Sequence, residues 1–495
     1  MAGRRGSESM RGKLIVFAFV AYTCASAQTV AEWRRQGEAR KAKGDAAGAL
    51  AAFEQAARLS PRSAVLQDEV GFLLAVLGRR QEALERFRQA VALDPKFARA
   101  RYHLGAALWL EGARQEALES LREAARLAPG VFDYRYRLGV ALLESAQPAE
   151  AAVELEQAVN LDPSRAESWN ALGLARQRSG DLHRAKDAFR RACELEPDNV
   201  AYRNSYGFLL VETGRAEDGI AEFERILRQD PDNVAALVNI GYAWLQKSEL
   251  DKAITQFRQV LERFPGDAAA QYNLGLALKQ KDDLEGAKRE LRKAIAMDPE
   301  LAEAHYTLGV THWQAGEFEE AARELRAAIF RRPDYAEAHY MLGTTLRQMG
   351  RLEEAKAALR EAIRLNPNTP GPYNTLGQIL RAQGDVEGGK AAFAEAARIQ
   401  KLRESEQAAM FNVNTGLAKL EAGRLDEAEE QLRLAVRAAP HWHRAHRYLA
   451  EVLEKRGKVA EARQLLARAR ELEQQDVSSY LDAARRSGFV REPRR

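Results

Sequence analysis

Cysteine and proline are scarce in this chain of 495 residues, which has 2 cysteines, 15 prolines, 34 glycines and 7% aromatics. Chain breakers and strand formers are few, and long stretches are rich in alanine, leucine, arginine and glutamate. This composition excludes a mainly β fold, a collagen-like chain and a disordered polymer. The net charge is only +4, so the composition gives no electrostatic footprint for nucleic acid. A helical protein is expected.

The chain also lacks an apolar run long enough to span a membrane. Leu14 to Ala27 supplies only 14 residues, whereas a span needs roughly 18 or more. Four basic residues precede this run, and an Ala-x-Ala site at residues 25–27 stands before Gln28, which is typical of a secretory signal peptide. We expect removal of residues 1–27 and export to the periplasm or the cell exterior, with no membrane span after cleavage.

Two alternatives stay open at this end of the chain. Translation starts at Met1 or at Met10, and Cys24 leaves a lipid anchor to the membrane as a second interpretation of the leader. Cleavage removes four basic residues, one acid and Cys24, so the net charge falls to +1 and Cys193 has no partner for an intrachain disulfide.

Self-comparison reveals an internal period of 34 residues, and a fixed period of this size indicates a repeat architecture. Thirteen units follow one another as far as Asp476, with five extra residues before the twelfth. In order, they open at Val30, Ala64, Ala98, Phe132, Ala166, Val200, Val234, Ala268, Ala302, Ala336, Pro370, Ala409 and His443.

Five positions of the unit predict its shape. The eighth residue is glycine in twelve units, the twentieth is alanine or glycine in all thirteen, and the twenty-fourth is always phenylalanine or leucine. Small residues that face large ones interdigitate, so two helices approach closely. The fifteenth residue is usually glycine, where a helix ends in a left-handed residue, and the thirty-second is usually proline, which stops the second helix. Each unit is predicted to be a helical hairpin.

This pattern of W-x-x-L-G, then A-x-x-x-F, then proline at 34-residue spacing resembles the tetratricopeptide repeat (TPR), and residues 30–476 carry it. The resemblance implies an all-α fold, an α-α solenoid in which antiparallel helix pairs stack into a right-handed superhelix. It also implies that first helices line a concave groove, that second helices lie outside, and that the protein acts by binding peptides or other proteins.

Departures from the pattern mark the ends and one joint. Repeats one to eleven occupy residues 30–403, and residues 404–408 form an insertion before repeats twelve and thirteen at 409–476. Because no proline ends unit eleven, we expect its second helix to be overlong and the array to bend there. Residues 477–488 have the spacing of a capping helix, and residues 489–495 form a basic tail.

A phosphate-binding motif is present only in part. Gly384, Gly389 and Lys390 match GxxxxGK, but Ala391 follows where a phosphate-binding loop has a hydroxyl, and no strand precedes the motif. The glycines stand at the turn and close-packing positions of unit eleven. We therefore reject a nucleotide site.

Metal and nucleophile sites are also poorly supported. Three histidines bracket the turn into unit thirteen without further ligands beside them, and a solvated turn is favoured over a zinc site. They are His441, His443 and His446. Cys193 falls at a packing position, which predicts an inert buried thiol. No catalytic residue, cofactor or metal is expected.

Groove residues follow from the resemblance, because positions two, five, six, nine, twelve and thirteen of the first helices would then face a ligand. Units seven to eleven carry tyrosines and amides at positions five and six, cations and a tryptophan at twelve, and glutamines at thirteen. Amides at regular steps hydrogen-bond an extended backbone, and aromatic rings add apolar area. The predicted binding residues are Asn239, Gln246, Tyr272, Asn273, Lys279, Gln280, Tyr306, Thr307, Trp313, Gln314, Tyr340, Arg347, Gln348, Asn374 and Arg381.

Three functions stay open. The favoured one is an exported, non-catalytic adaptor whose groove captures an extended peptide or a partner's tail. The alternatives are a structural component of a cell-envelope assembly and a regulatory or substrate-presenting subunit for a separate enzyme. Tyrosine at position five and asparagine at six are also usual in TPR units, so the glutamine run and the cations are the main evidence for a specific groove.

Overall fold

The computed structural model describes residues 29–486, with side chains over residues 29–472. In this range every regular element is a helix, and the chain divides into an N-terminal part that ends at Ile226 and a C-terminal part that begins at Leu227. The predicted all-α solenoid is confirmed. The predicted signal peptide, residues 1–27, and the basic tail, residues 489–495, lie outside the described residues.

In the N-terminal part, odd-numbered helices are the first helices of units and even-numbered helices are the second. The last of them crosses the boundary by three residues. In chain order they are α1 (residues 29–42), α2 (Ala46–Leu59), α3 (Ala64–Val76), α4 (Arg80–Leu93), α5 (Ala98–Leu110), α6 (Arg114–Leu127), α7 (Phe132–Glu144), α8 (Pro148–Leu161), α9 (Ala166–Arg178), α10 (Leu182–Leu195), α11 (Val200–Glu212) and α12 (Ala216–Gln229).

The C-terminal part keeps this alternation up to α21 and then departs from it. None of the helices in the described range is both long and apolar enough to cross a membrane. The helices of this part are α13 (Val234–Gln246), α14 (Leu250–Arg263), α15 (Ala268–Gln280), α16 (Leu284–Met297), α17 (Ala302–Gln314), α18 (Phe318–Arg331), α19 (Ala336–Gln348), α20 (Leu352–Leu365), α21 (Pro370–Ala382), α22 (Val386–Glu421), α23 (Leu425–Ala438), α24 (His443–Lys455) and α25 (Val459–Arg486).

In the twelve units whose eighth residue is glycine, this glycine packs closely against the twenty-fourth residue. A methyl group added at Gly173 would lie 2.6 Å from Cδ1 of Phe189, and one added at Gly275 would lie 2.7 Å from Cγ of Leu291. Both large side chains are fully buried. Because these distances leave no room for a side chain, the glycine sets how closely the two helices pack.

Left-handed backbone closes each hairpin at the fifteenth position. The ten glycines at this position have φ between +72° and +90°. Ala146, Ser248 and Asp282 replace glycine in units four, seven and eight and keep the same conformation, with φ of 56°, 60° and 65°. Helix packing therefore imposes the turn, since these three residues adopt a backbone that their side chains disfavour.

First helices contact one another along each part. In the N-terminal part each first helix from α3 to α9 contacts the next, and the same holds from α13 to α19 in the C-terminal part. Among the described helices, no comparable contact joins the second helices of successive hairpins. The first helices therefore lie on the inner side of each part, where TPR solenoids bind their ligands.

The second helix of unit eleven is overlong. α22 has 36 residues and serves first as the second helix of unit eleven, packed on α21, and then as the first helix of unit twelve, packed on α23. The inserted residues 404–408 are helical within it. Lys401 stands at the thirty-second position, so no proline interrupts the backbone hydrogen bonds. The bend of the array stays a prediction.

The C-terminal end differs from the sequence-based expectation. One helix, α25, runs unbroken from Val459 to Arg486, so the predicted capping helix at residues 477–488 has no start of its own. The reason is that unit thirteen also lacks the proline that ends most second helices. Residues 487 and 488 lie outside the described residues, and the capping role stays a prediction.

Replacing Gly275 by leucine should force the helices of unit eight apart. We expect a loss of about 1 to 3 kcal/mol in the free energy of unfolding, measured by urea denaturation. Protease cleavage should begin around α15 and α16, because each unit contacts only its neighbours. The matched control is Gly266→Leu, since nothing lies within 4 Å of a methyl group at Gly266. Equal losses in the two variants would contradict this account of the packing.

Candidate functional site

Four glutamines form a ladder of free amides on the inner side of the C-terminal part. Gln246, Gln280, Gln314 and Gln348 are the last residues of α13, α15, α17 and α19. All four are exposed, and their side chains have no hydrogen-bond partner within the described part of the chain. Each amide has two N–H donors and a carbonyl acceptor. The ladder therefore repeats the same hydrogen-bonding group once per unit.

Lys279 precedes the second glutamine of this ladder and has no carboxylate partner among the described residues. Burial lowers the pKa of Lys279, because a cation removed from water without a counter-ion is destabilised. Lys288 shows the opposite case, since its hydrogen bonds to Glu285 and Glu317 raise its pKa. An anionic group placed beside Lys279 would supply the missing counter-charge.

Position twelve of the next three units holds Trp313, Arg347 and Arg381. The indole N–H of Trp313 is buried and has no acceptor among the residues that the structure describes. Arg347 donates to the side-chain oxygen of Gln378, whereas Arg381 is exposed and unpaired within the described residues. This row therefore has an unpaired cation at each end, Lys279 and Arg381.

Tyrosines add half-buried rings next to the ladder. The hydroxyl of Tyr272 lies 3.4 Å from the hydroxyl of Thr307 in the next unit, and the ring centroid of Tyr306 lies 4.9 Å from that of Tyr335. Burial raises the pKa of both Tyr272 and Tyr306, so these phenols are neutral. They contribute rigid apolar area rather than charge.

Some predicted groove residues are engaged within the protein. Asn273 donates to the backbone oxygen of Ala269 at 2.9 Å, and Thr307 is only 4% exposed. The hydroxyl of Tyr340 lies 2.8 Å from the position of a methyl group at Gly371, so this ring packs onto the next first helix. These three side chains shape the surface more than they offer free groups.

The predicted residues thus share the first helices of the C-terminal part, and we call their common surface the inner groove. Asn239 is half-buried at one end of it, and Asn374 is exposed at the other. Within the described residues, the exposed or half-buried side chains of this surface without a polar partner are the four glutamines, Asn374, Lys279, Arg381 and Trp313. Their role in binding stays a prediction.

The N-terminal part contains an ion-pair network at positions of the repeat that correspond to the inner groove, and the sequence alone did not predict it. The buried Asp68 lies 2.7 Å from both Arg99 and His103, and Glu69 lies 2.9 Å from Lys41 and 2.7 Å from Arg99. The contact between Asp68 and Arg99 is short but poorly aligned, so it is an ion pair rather than a good hydrogen bond. Burial opposes the ionisation of Glu69, but Lys41 and Arg99 outweigh it and lower its pKa. These charges satisfy one another and join units one to three.

Family models identify the repeat along most of the chain. Models of the tetratricopeptide repeat match residues 71–112, 108–175 and, in overlapping segments, 245–476. A model described as the cytochrome c-type biogenesis protein H TPR domain matches residues 149–271. The chain is a tetratricopeptide-repeat protein.

Solved structures similar to this TPR protein include MamA from Desulfovibrio magneticus RS-1, which is 25% identical and covers 34% of this chain and 96% of its own, with a TM-score of 0.33. YrrB, described as a TPR protein with an unusual peptide-binding site, is 24% identical, with 37% and 95% covered and a TM-score of 0.36. A monomeric mutant of IFIT1 with Gppp-AAAA is 15% identical, with 83% and 90% covered and a TM-score of 0.40. No curated protein matches the chain.

The GxxxxGK segment of the TPR protein has a structural role. Gly384 closes a turn with φ of +90°, and a methyl group at Gly389 would lie 3.1 Å from the carbonyl oxygen of Gly377. Lys390 pairs with Glu387 at 2.8 Å. A phosphate-binding loop follows a strand, whereas this segment follows helix α21.

Two of the histidines near unit thirteen make local contacts, and Cys193 is half-buried rather than fully buried as predicted. His441 lies 3.2 Å from Glu406, and Nε2 of His446 lies 2.9 Å from the carbonyl oxygen of Pro440. Burial raises the pKa of the Cys193 thiol to about 11, so the thiol is protonated at neutral pH. Within the described residues, no three potential metal ligands lie together.

Lys279→Met should stabilise the free TPR protein. Because the pKa of Lys279 is lower in the folded state, the charged lysine reduces the free energy of unfolding at neutral pH, and this penalty is lost as the pH rises from the folded-state pKa toward the unfolded-state pKa. We expect a higher melting temperature at neutral pH and a smaller difference in alkaline buffer. The control is Lys252→Met, which removes an exposed lysine paired with Glu249. A lower melting temperature for Lys279→Met would contradict the absence of a counter-charge.

Proposed function

We propose that this protein is an exported, non-catalytic scaffold that binds an extended peptide or a protein tail along the inner groove of units seven to eleven. The observation that carries the proposal is the ladder of four free glutamine amides with an uncompensated lysine beside it. The amides recur once per unit on successive first helices, and the lysine is partly buried without a carboxylate.

The inner groove suits an extended acidic ligand. Each free amide can donate to a peptide carbonyl and accept from a peptide N–H. These hydrogen bonds hold the peptide backbone whatever its side chains are. The tyrosines add apolar contact at low entropic cost. Lys279 and Arg381 favour carboxylates, since hydrogen bonds between ionised partners are roughly twice as strong as neutral ones. Acidic side chains or a terminal carboxylate are therefore the expected anchors.

The chemistry of the inner groove supports binding without catalysis. Nucleophilic catalysis needs a nucleophile within hydrogen-bond reach of an oriented base. In the described groove the hydroxyls of Tyr272 and Thr307 face each other, and burial holds the phenol neutral. Amides, cations and aromatic rings in this arrangement hold a ligand and do not activate it.

Peptide titration tests the proposal. An unstructured glutamate-rich peptide should bind the mature chain more tightly than the same peptide with glutamine in place of glutamate. Gln280→Ala combined with Gln314→Ala should weaken the binding of both peptides by about tenfold, because two hydrogen-bonding groups are lost. Isothermal titration calorimetry measures each affinity.

Two further variants serve as controls for this titration. Gln259→Ala should have no effect, because Gln259 is also exposed but lies on the second helix α14. Lys279→Met should reduce the preference for glutamate, because only Arg381 then remains as an unpaired cation of the groove within the described residues, and should leave the affinity for the glutamine peptide unchanged. Undiminished binding by the double glutamine variant would refute the proposed groove.

The proposal of export rests on the sequence of the leader. The Ala-x-Ala site before Gln28 predicts that protein from the cell envelope begins at Gln28, which intact-mass measurement detects. Ala27→Phe should block this processing, because the site requires small residues. A lipid-modified chain that begins at Cys24 would instead support a membrane anchor, and an unprocessed cytoplasmic chain would rule export out.

A further inference from the structure

Helix α22 has two buried faces on different sides. The buried residues of its two halves are Gly389, Ala392, Ala396 and Ile399 in the half that packs on α21, and Ala409, Val413, Gly416, Leu417 and Leu420 in the half that packs on α23. With 3.6 residues per turn, the two sets lie roughly 95° apart around the helix. A third side, opposite to both, is left uncovered.

Six exposed residues follow this third side at alternating spacings of three and four residues. We call them the α22 seam: Ala394, Ala397, Lys401, Glu404, Ala408 and Phe411. Their spacing is that of a coiled-coil interface. Phe411 is 72% exposed, although the same position in units seven to ten and in unit thirteen holds a fully buried alanine. An aromatic side chain therefore lies in water where the repeat normally buries a methyl group.

Phe393, which flanks the seam, also lacks its usual neighbour. The twenty-fourth position is at most 2% exposed in units one to ten and in unit twelve, but Phe393 is only half-buried. Elsewhere in the C-terminal part a second helix packs against the next first helix, as α20 packs against α21. In α22 these two elements are one continuous helix, so units eleven and twelve cannot cover each other in this way.

The α22 seam is complementary to itself in an antiparallel pair. If Lys401 faces Glu404 of a second copy, then Ala397 faces the second copy's Ala408, and Ala394 faces its Phe411. Opposite charges meet at the centre, and small residues meet small or large ones on either side. A parallel pair would place lysine on lysine and glutamate on glutamate. Lys401 has no ion-pair partner within the described chain.

We propose that α22 is a dimerisation helix that pairs antiparallel with α22 of a second copy along the α22 seam. The seam extends about 27 Å along the helix axis, and its two-fold symmetry is the commonest one among soluble oligomers. The dimer has two inner grooves, so a partner with two binding segments gains avidity. The seam lies outside the inner groove, and dimerisation is independent of the proposed peptide binding.

Charge reversal across the seam tests the pairing. Sedimentation velocity of the mature chain should show a monomer–dimer equilibrium, and E404K should weaken dimerisation by about tenfold or more, because Lys401 then faces a lysine. The double variant K401E/E404K should restore the dimer, which excludes misfolding as the cause. A chain that stays monomeric, or a dimer that is insensitive to E404K, would overturn the proposal.

Engineered disulfides distinguish antiparallel from parallel pairing. In a chain with Cys24→Ser and Cys193→Ser, Ala397→Cys and Ala408→Cys together should give an oxidised covalent dimer, whereas either cysteine alone should give none. Circular dichroism confirms that each variant is folded. Crosslinking by the single variants indicates a parallel pair, and no crosslinking by the double variant indicates another interface. Both results would overturn the proposal.

Discussion

Close contact between a glycine without a side chain and one large apolar residue sets the geometry of twelve of the thirteen hairpins. Methyl groups at Gly105 and Gly241 would lie 2.7 Å from Leu121 and 2.5 Å from Phe257. Each hairpin is therefore closed by its own residues and shares its faces only with its neighbours, so stability is close to a sum of local terms. Successive first helices contact one another, and the regular 34-residue period therefore turns one glutamine per unit into a ladder.

Particular residues end the regular stacking of hairpins before unit twelve. Lys401 replaces the proline that would stop the helix, and Thr415 stands at the seventh position, where the inner units have a large apolar residue. Unit one also has a polar residue at this position, the exposed Gln36. Unit twelve thus begins with a polar, solvent-exposed face, as a terminal repeat does. The exposed aromatic ring of Phe411 lies on the same stretch of helix. An interface with another chain accounts for this combination better than a simple cap.

The sequence predicted the helices well because the 34-residue period is regular. Units eight and thirteen open at Ala268 and His443, where α15 and α24 begin. It placed the candidate residues on first helices but could not predict which of their side chains are free, because contacts such as that of Tyr340 with Gly371 join different units. The absent proline predicted an overlong helix, but only the structure shows that this helix also serves as the first helix of unit twelve.

A lysine at position twelve of the repeat is paired with a carboxylate in the N-terminal part but not in the described C-terminal part. Lys41, at position twelve of unit one, pairs with Glu69 at position six of unit two. Lys279 also stands at position twelve, but position six of the following unit is Thr307, which offers no charge. A cation that is partly buried without a counter-ion lowers the stability of the free protein. Because a carboxylate placed beside Lys279 would remove this penalty, the residue that lowers the stability of the protein would favour an acidic ligand in the proposed binding groove.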